Sequence, residues 1–415
     1  MIDIEIVRKN PDKIREMLVA RNMQTELVDQ FLAVDEDWRK LTSQLDEARA
    51  LQNKLSSEKK IEEAKKNKEI IKDKESEIAQ IEGRRYELIL EFPNIPFGDV
   101  LKGKDESENK SIKTVGDIPK FDFEPKDHLD IGEALDIIDT KTASQVSGSR
   151  FAYLKKQGAL LEFALIQYAL NLLVKEGFEA VVPPVMIKPD VYKKMGRLSE
   201  NQKEERFYLE KDDVYLVGSA EHTMGPLGMD KVFKEEDLPK RYVGFSTCFR
   251  REAGSYGKDV KGILRVHQFD KVEMYSFSHP EKSEEEHMFL LSMQEKIWGG
   301  LDIPYRVVEI CTGDMGPTDA RQFDIEAWVP SQKTYREVAS CSNTTDYQTR
   351  GIGAKIKVGD KNQYVHALNA TGIVIGRTII AILENNQQED GSVLIPKALQ
   401  KYTGFEIIEN SFGTN

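Results

Sequence analysis

Apolar positions recur along the first quarter of the chain at spacings of four and three. Val34, Trp38, Leu41, Leu45, Ala48, Gln52 and Leu55 form one such series. That is the heptad seam of a long helix, with a single polar member. A thinner seam follows at Ile71, Ile78, Ile81 and Leu88, with Lys74 and Arg85 interleaved, and Pro93 marks its end. The spacing predicts helices over about 25–57 and 61–92 after a short helical lead-in at 1–26. Neither helix has a second apolar face, and the turn between them is short and polar. They should therefore pack on each other as an antiparallel hairpin, and about 30 residues at ~1.5 Å each would project roughly 45 Å.

Beyond residue 130 the pattern changes. Residues 158–175 are apolar almost all round, which predicts a helix buried on several sides. Residues 178–186 read as a strand halted by Pro183 and Pro184, 214–217 as a short apolar strand, and 366–377 as a strand running into a glycine-punctuated helix. Residues 247–277 read as two strands joined by a loop carrying Gly254, Gly257 and Gly262. Strand side chains alternate, so Arg250 and Glu252 share a face. On the return strand Arg265, His267, Phe269, Lys271 and Glu273 share one face, and Leu264, Val266 and Val272 the other. Cations, a ring and carboxylates on one face indicate a ligand surface. On these residues alone, a solvated edge hairpin competes with that reading.

Composition narrows the class. The chain has 415 residues, 31% charged and 40% hydrophobic, with a net charge of −12. That length suits two or three domains. The charge argues against a broadly basic nucleic-acid surface, so any RNA contact must be local. One local patch exists: residues 54–74 hold eight lysines against five acidic residues. It is either a solvated coiled coil or a probe for a polyanion. No run of some 18 apolar residues predicts a membrane span, and the N-terminus predicts no signal peptide. Cys248, Cys311 and Cys341 are scattered, as expected of buried thiols in a reducing cytosol. A phosphate loop of the Gly-x-x-x-x-Gly-Lys type is absent.

The string Phe249-Arg250-Arg251-Glu252-Ala253-Gly254, followed by residues 265–273 (Arg-Val-His-Gln-Phe-Asp-Lys-Val-Glu), strongly resembles motif 2 of class II aminoacyl-tRNA synthetases in its seryl-tRNA synthetase form. Other stretches resemble that family in order. They are the helical hairpin with Phe92-Pro93-Asn94-Ile95-Pro96 at its base, the 123–128 and 146–151 strings, motif 1 at about 177–186, and motif 3 at about 364–387. The resemblance implies an α+β fold: an N-terminal antiparallel coiled-coil arm, then a catalytic domain built on an antiparallel sheet flanked by helices. The implied domains are 1–100 (hairpin about 27–92), a linker at 101–130, and a catalytic domain at 131–415 with motif 2 at about 243–277.

The resemblance also implies roles. ATP would be held by Arg250, Arg251, Glu252, Val266, Phe269, Glu337, Val338, Ala339, Ser340 and Arg377, with Arg250 and Arg377 catalytic. Serine would be held by Ser219, Ala220, Glu221, Arg250, Glu273, Asn369 and Thr371. Mg²⁺ would sit on Glu337 and Ser340, a chemically sensible pair because hard cations take oxygen ligands. Val266, facing away from Phe269, would act through its backbone. Ser219, Ala339, Ala370 and Thr371 depart from the usual family residues, and Ala370 with Thr371 should give a tighter pocket. Expected partners are L-serine, tRNA(Ser) gripped by the arm through Lys59, Lys60, Lys65 and Lys66, and a second copy of the chain through motif 1. Neither a membrane nor DNA is expected, the location would be cytoplasmic, and charging of tRNA(Sec) is left open. Two alternatives remain: a non-catalytic RNA-binding paralogue, and an enzyme that loads an amino acid onto a carrier protein.

Overall fold

The computed structural model describes residues 1–253 and 261–409, the side chain of Asn201 excepted. Gly254 and Gly257, expected in the hairpin loop, lie outside the described residues. The chain divides into two compact units, the first Met1–Ile95 and the second from Pro96 onward.

In the first unit, α1 (Ile4–Lys9) and α2 (Pro11–Ala20) precede two long helices, α3 (Glu26–Ser57) and α4 (Ile61–Leu90). Asn67 meets Ala48 and Gln52, Lys74 meets Gln44, and Arg85 meets Asp35, so α3 and α4 run antiparallel. The seam faces inward: Val34, Leu45, Ala48 and Leu55 are buried, and Trp38, Leu41 and Gln52 half-buried. Exposed pairs such as Glu36–Lys40 at 2.8 Å contribute only about 0–1 kcal/mol each. Seam burial therefore holds the hairpin.

Two polar side chains interrupt that seam. Asn67 Nδ2 donates to Ala48 O at 2.8 Å and to Gln52 Oε1 at 2.9 Å. A buried amide demands those partners, so Asn67 fixes the register of α3 on α4. Asp35, fully buried, accepts from Arg8 Nε at 2.8 Å, Arg85 Nε at 2.7 Å and Arg39 Nε at 3.2 Å. Burial alone would raise its pKa, but Arg8 and Arg85 outweigh that and hold it low.

The second unit is built on an eight-stranded sheet. Its strands are β1 (Lys110–Val115), β2 (Glu179–Val181), β3 (Lys240–Phe249), β4 (Gln268–Ser278), β5 (Tyr305–Glu309), β6 (Arg321–Val329), β7 (Thr334–Asn343) and β8 (His366–Val374). Their order is β1-β5-β6-β7-β8-β4-β3-β2. Every pairing is antiparallel except β2 on β3. Three helices, α5 (Lys156–Lys175), α6 (Ser283–Gly300) and α7 (Ile375–Asn385), contribute to the core on one face. Val272 and Met274 of β4 and Leu368 and Ala370 of β8 belong to that core, as do Leu165, Leu290 and Ile379 of the helices. Alternation then sends Lys271, Glu273, Asn369 and Thr371 to the other face.

Three expectations are corrected here. Helix α5 is not buried on several sides: Leu161, Leu165, Ala169 and Leu173 are fully buried, while Leu160, Phe163 and Val174 are 51%, 67% and 47% exposed. It has the length and composition of a membrane span, but its buried row packs as a core helix. Within the expected linker, residues 110–115 form edge strand β1 on β5. Its exposed side chains show no apolar alternation that could have revealed it. Finally, β4 begins only at Gln268, so strict alternation does not extend back to residues 264–266.

Candidate functional site

The open face of β4, β7 and β8 carries two cavities that share walls. Arg250, Glu252, Lys271, Ser340 and Thr371 line both. The first cavity is completed by Phe269, Glu337 and Arg377. Arg250, just past the end of β3, is held by Nε donating to Gly218 O at 3.1 Å, and its guanidinium lies 5.3 Å from the Phe269 ring centre. Arg377, in the first turn of α7, donates to Glu337 O at 2.9 Å and lies 3.1 Å from Glu337 Oε1. That cation holds the Glu337 carboxyl below its usual range. Two fixed arginines therefore face one cavity, an arrangement suited to a polyanion beside a ring.

Residue positions in this wall follow from a bulge. Ile325 pairs with Ala339 and Glu326 with Glu337, so Val338 is the extra residue of β7. Its side chain joins the core, as does that of Ala339, which also borders the cavity that Glu337 and Ser340 line. A matching irregularity in β8 sets Glu273 opposite Thr371 and leaves Gly372 as the extra residue. Thr371 Oγ1 then donates to Glu273 Oε2 at 3.3 Å.

The second cavity encloses about 440 Å³ and is strongly charged. Glu221 Oε1 lies 2.8 Å from Arg197 Nη2 and 3.3 Å from His222 Nε2, all three side chains being largely buried. Burial would raise the Glu221 pKa, but Arg197 and His222 outweigh it and hold it far below the usual range. His222 Nδ1 accepts from Gly218 N at 3.2 Å and meets Tyr192 Oη at 2.9 Å, so the proton of the neutral ring sits on Nε2, facing Glu221. Burial pushes the His222 pKa down to about 3.

Among the described residues, four buried polar atoms on side chains of this wall have no partner: Glu221 Oε2, an acceptor, and Asn369 Nδ2, Arg197 Nε and Arg206 Nε, all donors. Buried polar groups are nearly always satisfied in native proteins. An unpartnered carboxylate oxygen and unpartnered donors on residues that line one cavity suit a small zwitterion or another polar ligand. Glu273, also buried, has its pKa raised by desolvation, which Lys271 Nζ at 2.7 Å offsets.

Most of the expected residues converge here. Arg250, Glu252, Val266, Phe269, Glu337, Ala339, Ser340 and Arg377 line the first cavity. Ser219, Glu221, Arg250, Glu273, Asn369 and Thr371 line the second. Val266, expected to act through its backbone, lines the first cavity with Phe269, and it precedes the strand, so alternation does not fix where its side chain points. Ala370 does not tighten the pocket: its methyl lies in the core on the opposite face of β8. Arg251 points elsewhere, donating to Arg206 O at 2.9 Å with its guanidinium 4.7 Å from the Phe207 ring centre. His267 leaves the expected face and packs between Phe151 and Phe207. Ala220 is wholly buried. Lys59, Lys60, Lys65 and Lys66 are exposed around the α3–α4 turn, with Lys60 paired to Glu58 and Lys65 to Glu62.

Arg197 and Asp319 were missed. Both come from loops, and only the fold brings them to Glu221 and the cavity wall. Neither carries a local sequence pattern that would single it out.

Comparisons with known proteins point one way. Residues 1–96 match the seryl-tRNA synthetase N-terminal domain, and residues 206–386 match the tRNA synthetase class II core domain (G, H, P, S and T). The chain is 42% identical to a serine–tRNA ligase of Dictyoglomus turgidum, covering 98% of this chain and 99% of that one. It is 44% identical to a serine–tRNA ligase of Thermosipho africanus, covering 99% and 100%. Among solved structures it resembles the seryl-tRNA synthetase of Pyrococcus horikoshii complexed with ATP, with a TM-score of 0.90, 37% identity, and 98% and 99% coverage. A similar match is the cytoplasmic serine–tRNA ligase of Naegleria fowleri with AMP, with a TM-score of 0.86, 35% identity and 99% coverage of both chains.

Proposed function

The chain belongs to the seryl-tRNA synthetase family, and from that premise we propose that its two joined cavities hold ATP and L-serine side by side. The chain is a serine–tRNA ligase: it activates serine with ATP to seryl-adenylate and transfers serine to tRNA. The observation that carries the site assignment is that Glu221 and Asn369, both lining the second cavity, each keep one unpartnered polar atom. Glu221 Oε2 accepts from the ammonium of serine, and Asn369 Nδ2 donates to an oxygen of the substrate. Ser219 and the backbone at Ala220 complete that wall, and Glu273 with Thr371 receives the serine hydroxyl.

The chemistry asks for alignment and cations. A serine carboxylate oxygen attacks the α-phosphorus. A phosphorus–oxygen bond forms, the bond to the bridging oxygen breaks, and pyrophosphate leaves with the electron pair. Charge builds on phosphate oxygens, so fixed guanidinium groups lower the barrier without any protein nucleophile. Arg250 lines both cavities and can reach the α-phosphate and the serine carboxylate together, while Arg377 takes the terminal phosphates. Phe269 stacks on the purine, Glu252 accepts from its amino group, and backbone at Val266, Val338 and Ala339 frames the nucleotide. Arg251, stacked on Phe207, supports the wall rather than touching the nucleotide. In the second step a terminal hydroxyl of the tRNA attacks the seryl carbonyl and AMP leaves.

The residues present fit Mg²⁺. Glu337 and Ser340 supply a carboxylate and a hydroxyl to the cavity that would hold the phosphates, and Mg²⁺ commonly takes one or two protein oxygens plus phosphates. When bound, the cation neutralises charge on the phosphates. The chain's own part is to keep Glu337 ionised, which Arg377 does.

The basic turn of the α3–α4 hairpin is the surface for tRNA(Ser), through Lys59, Lys60, Lys65 and Lys66. The exposed apolar row Leu160, Phe163 and Val174, with Val182 at 87% exposure, supports a homodimer through the motif 1 region. The enzyme works in the cytoplasm. The test is pyrophosphate exchange with ATP across the twenty amino acids, followed by charging of total tRNA. Serine alone is expected to support exchange, and a different amino acid doing so as fast overturns the assignment.

A further inference from the structure

Asp127 and His128 belong to a string whose role the adenylation chemistry leaves unassigned. His128 is buried at the first position of a short helix, His128–Ala134, which Asp127 caps by accepting from Leu129 N and Asp130 N. Its ring stands between helix α7 and the return segment that lines the first cavity. On one side His128 Nδ1 lies 3.2 Å from Glu384 Oε1, which also accepts from His128 N at 3.0 Å. Glu384 is fully buried on α7, the helix whose first turn carries Arg377, and its other oxygen accepts from Ser331 N at 3.0 Å. On the other side Ile263 N donates to His128 Nε2 at 3.4 Å. Ile263, Leu264 and Arg265 are the return segment that lines the same cavity.

These bonds fix the ring. A backbone N–H can only donate, so Nε2 must accept and the proton must sit on Nδ1, where Glu384 receives it. The chain Ile263 N–H to imidazole to carboxylate therefore runs in one direction, from the return segment to the arginine helix. The approach is close: a Cβ on Gly262 would lie 2.1 Å from His128 Nε2, and Gly262 has φ +77°, a conformation that glycine adopts without strain. Lys261 Nζ meets Asp127 Oδ2 at 3.2 Å, a second tie from the same two residues to the same segment.

We propose that His128 is a positioning residue for ATP. It pins residues 261–265 to helix α7, so that the purine side of the cavity and Arg377 keep one fixed separation. It touches no reacting atom and has no part in serine recognition. The inference rests on the nucleotide cavity being where ATP binds, but not on the identity of the amino acid.

The test uses two amides that each reproduce half of the imidazole. In His128→Gln the side-chain oxygen reaches the Nε2 position and can still accept from Ile263 N. In His128→Asn the amide reaches only the Nδ1 position and keeps only Glu384. Affinity for ATP is measured by calorimetry without serine, alongside KM for ATP and for serine in pyrophosphate exchange, with melting midpoints as a check on folding. His128→Asn is expected to weaken ATP binding roughly tenfold, as loss of one buried hydrogen bond would, with KM for serine unchanged. His128→Gln should restore most of it. Equal effects of Asn and Gln, or parental ATP affinity in both, overturn the proposal. Gly262→Ala approaches from the other side, where the added methyl must push the segment off His128; unchanged ATP affinity there overturns it too. If exchange in the parent proves to need another amino acid, the functional reading fails while the calorimetric result still decides this one.

Discussion

Lys271 and Glu273 stand two residues apart on the cavity face of β4, with Nζ 2.7 Å from Oε2 and both side chains buried. Thr371 donates to the same oxygen, so Oε2 is committed to the protein. Removing Lys271 leaves a carboxyl already raised by burial with no counter-charge. Lys271→Met should destabilise the second unit by about 3–5 kcal/mol, the usual cost of breaking a buried pair from one side. It should also raise KM for serine at least tenfold. Urea denaturation together with exchange kinetics checks both, and an unchanged midpoint would show that the pair is not charged in the folded protein.

With Glu273 at the proposed serine site, that pair should also set how sharply serine is told from alanine. Glu273 keeps Lys271 and Thr371 when no hydroxyl is present, so it is not left wholly unpaired. Discrimination against alanine should be about 10²-fold, one charge-assisted hydrogen bond, rather than the ~10⁴-fold of a site whose polar group loses every partner. Threonine should fail on volume beside Thr371. The ratios of kcat/KM in pyrophosphate exchange decide, and alanine equalling serine would remove Glu273 from the hydroxyl site.

Arg377 is partly exposed and anchors no core contact, so Arg377→Ala should fold normally. Exchange is expected to fall by about 10³-fold, because a cation aimed at developing charge is lost. The Glu337 carboxyl, no longer held low by that guanidinium, should move back up toward its ordinary range. Arg250→Ala should abolish measurable exchange, since Arg250 lines both cavities. Near-parental exchange in a folded Arg377→Ala protein would displace it from the phosphates.

His222 gives a stability prediction with a defined sign. Its folded pKa is about 3, against an ordinary value of 6.5. Between those values the unfolded chain takes up a proton that the folded one refuses, so stability falls as pH drops below 6.5. From pH 7 to pH 5 this one residue should cost about 2 kcal/mol. His287 and His366, each depressed to about 4, act in the same direction. His222→Gln should therefore make the pH dependence of urea unfolding shallower by about one proton over that range, and an unaltered slope would mean His222 is already charged or exposed.

The arm was legible because a heptad is a local pattern, and Leu45, Ala48 and Leu55 bury as their spacing requires. Asn67 was not, since polarity alone gives no sign that an amide will be enclosed. In the sheet, alternation read β4 correctly from Phe269 onward and failed at His267, where irregular backbone precedes the strand. The cavity face of Glu337 and the pairing of Thr371 with Glu273 depend on bulges that no period of two can forecast. Arg197 and Asp319 lie in loops remote from Glu221 in the chain, and only tertiary folding brings them together. His128 stood in a recognisable string, yet its connection to Glu384 spans 256 residues.

The last prediction separates tRNA recognition from adenylation. The first unit contributes no residue to either cavity, and its seam and its Asp35 clasp are its own. Its far end is the locally basic stretch of a chain carrying net charge −12, with Lys59, Lys60, Lys65 and Lys66 exposed. Each lysine set on a phosphate releases counterions and so steepens the salt dependence of binding. Replacing about residues 35–91 with a short Gly/Ser linker should leave serine-dependent pyrophosphate exchange largely intact and reduce tRNA charging severely. Changing the four lysines to Gln should weaken tRNA binding less and flatten its salt slope by up to about four contacts. Lys60 and Lys65 already have carboxylate neighbours in Glu58 and Glu62, so the larger share is expected from Lys59 and Lys66. Exchange and charging measured on one preparation, with tRNA titrated at two salt concentrations, give the answer. A hairpin-less enzyme that charges serine tRNA as well as the intact one would move the tRNA-reading surface to the second unit.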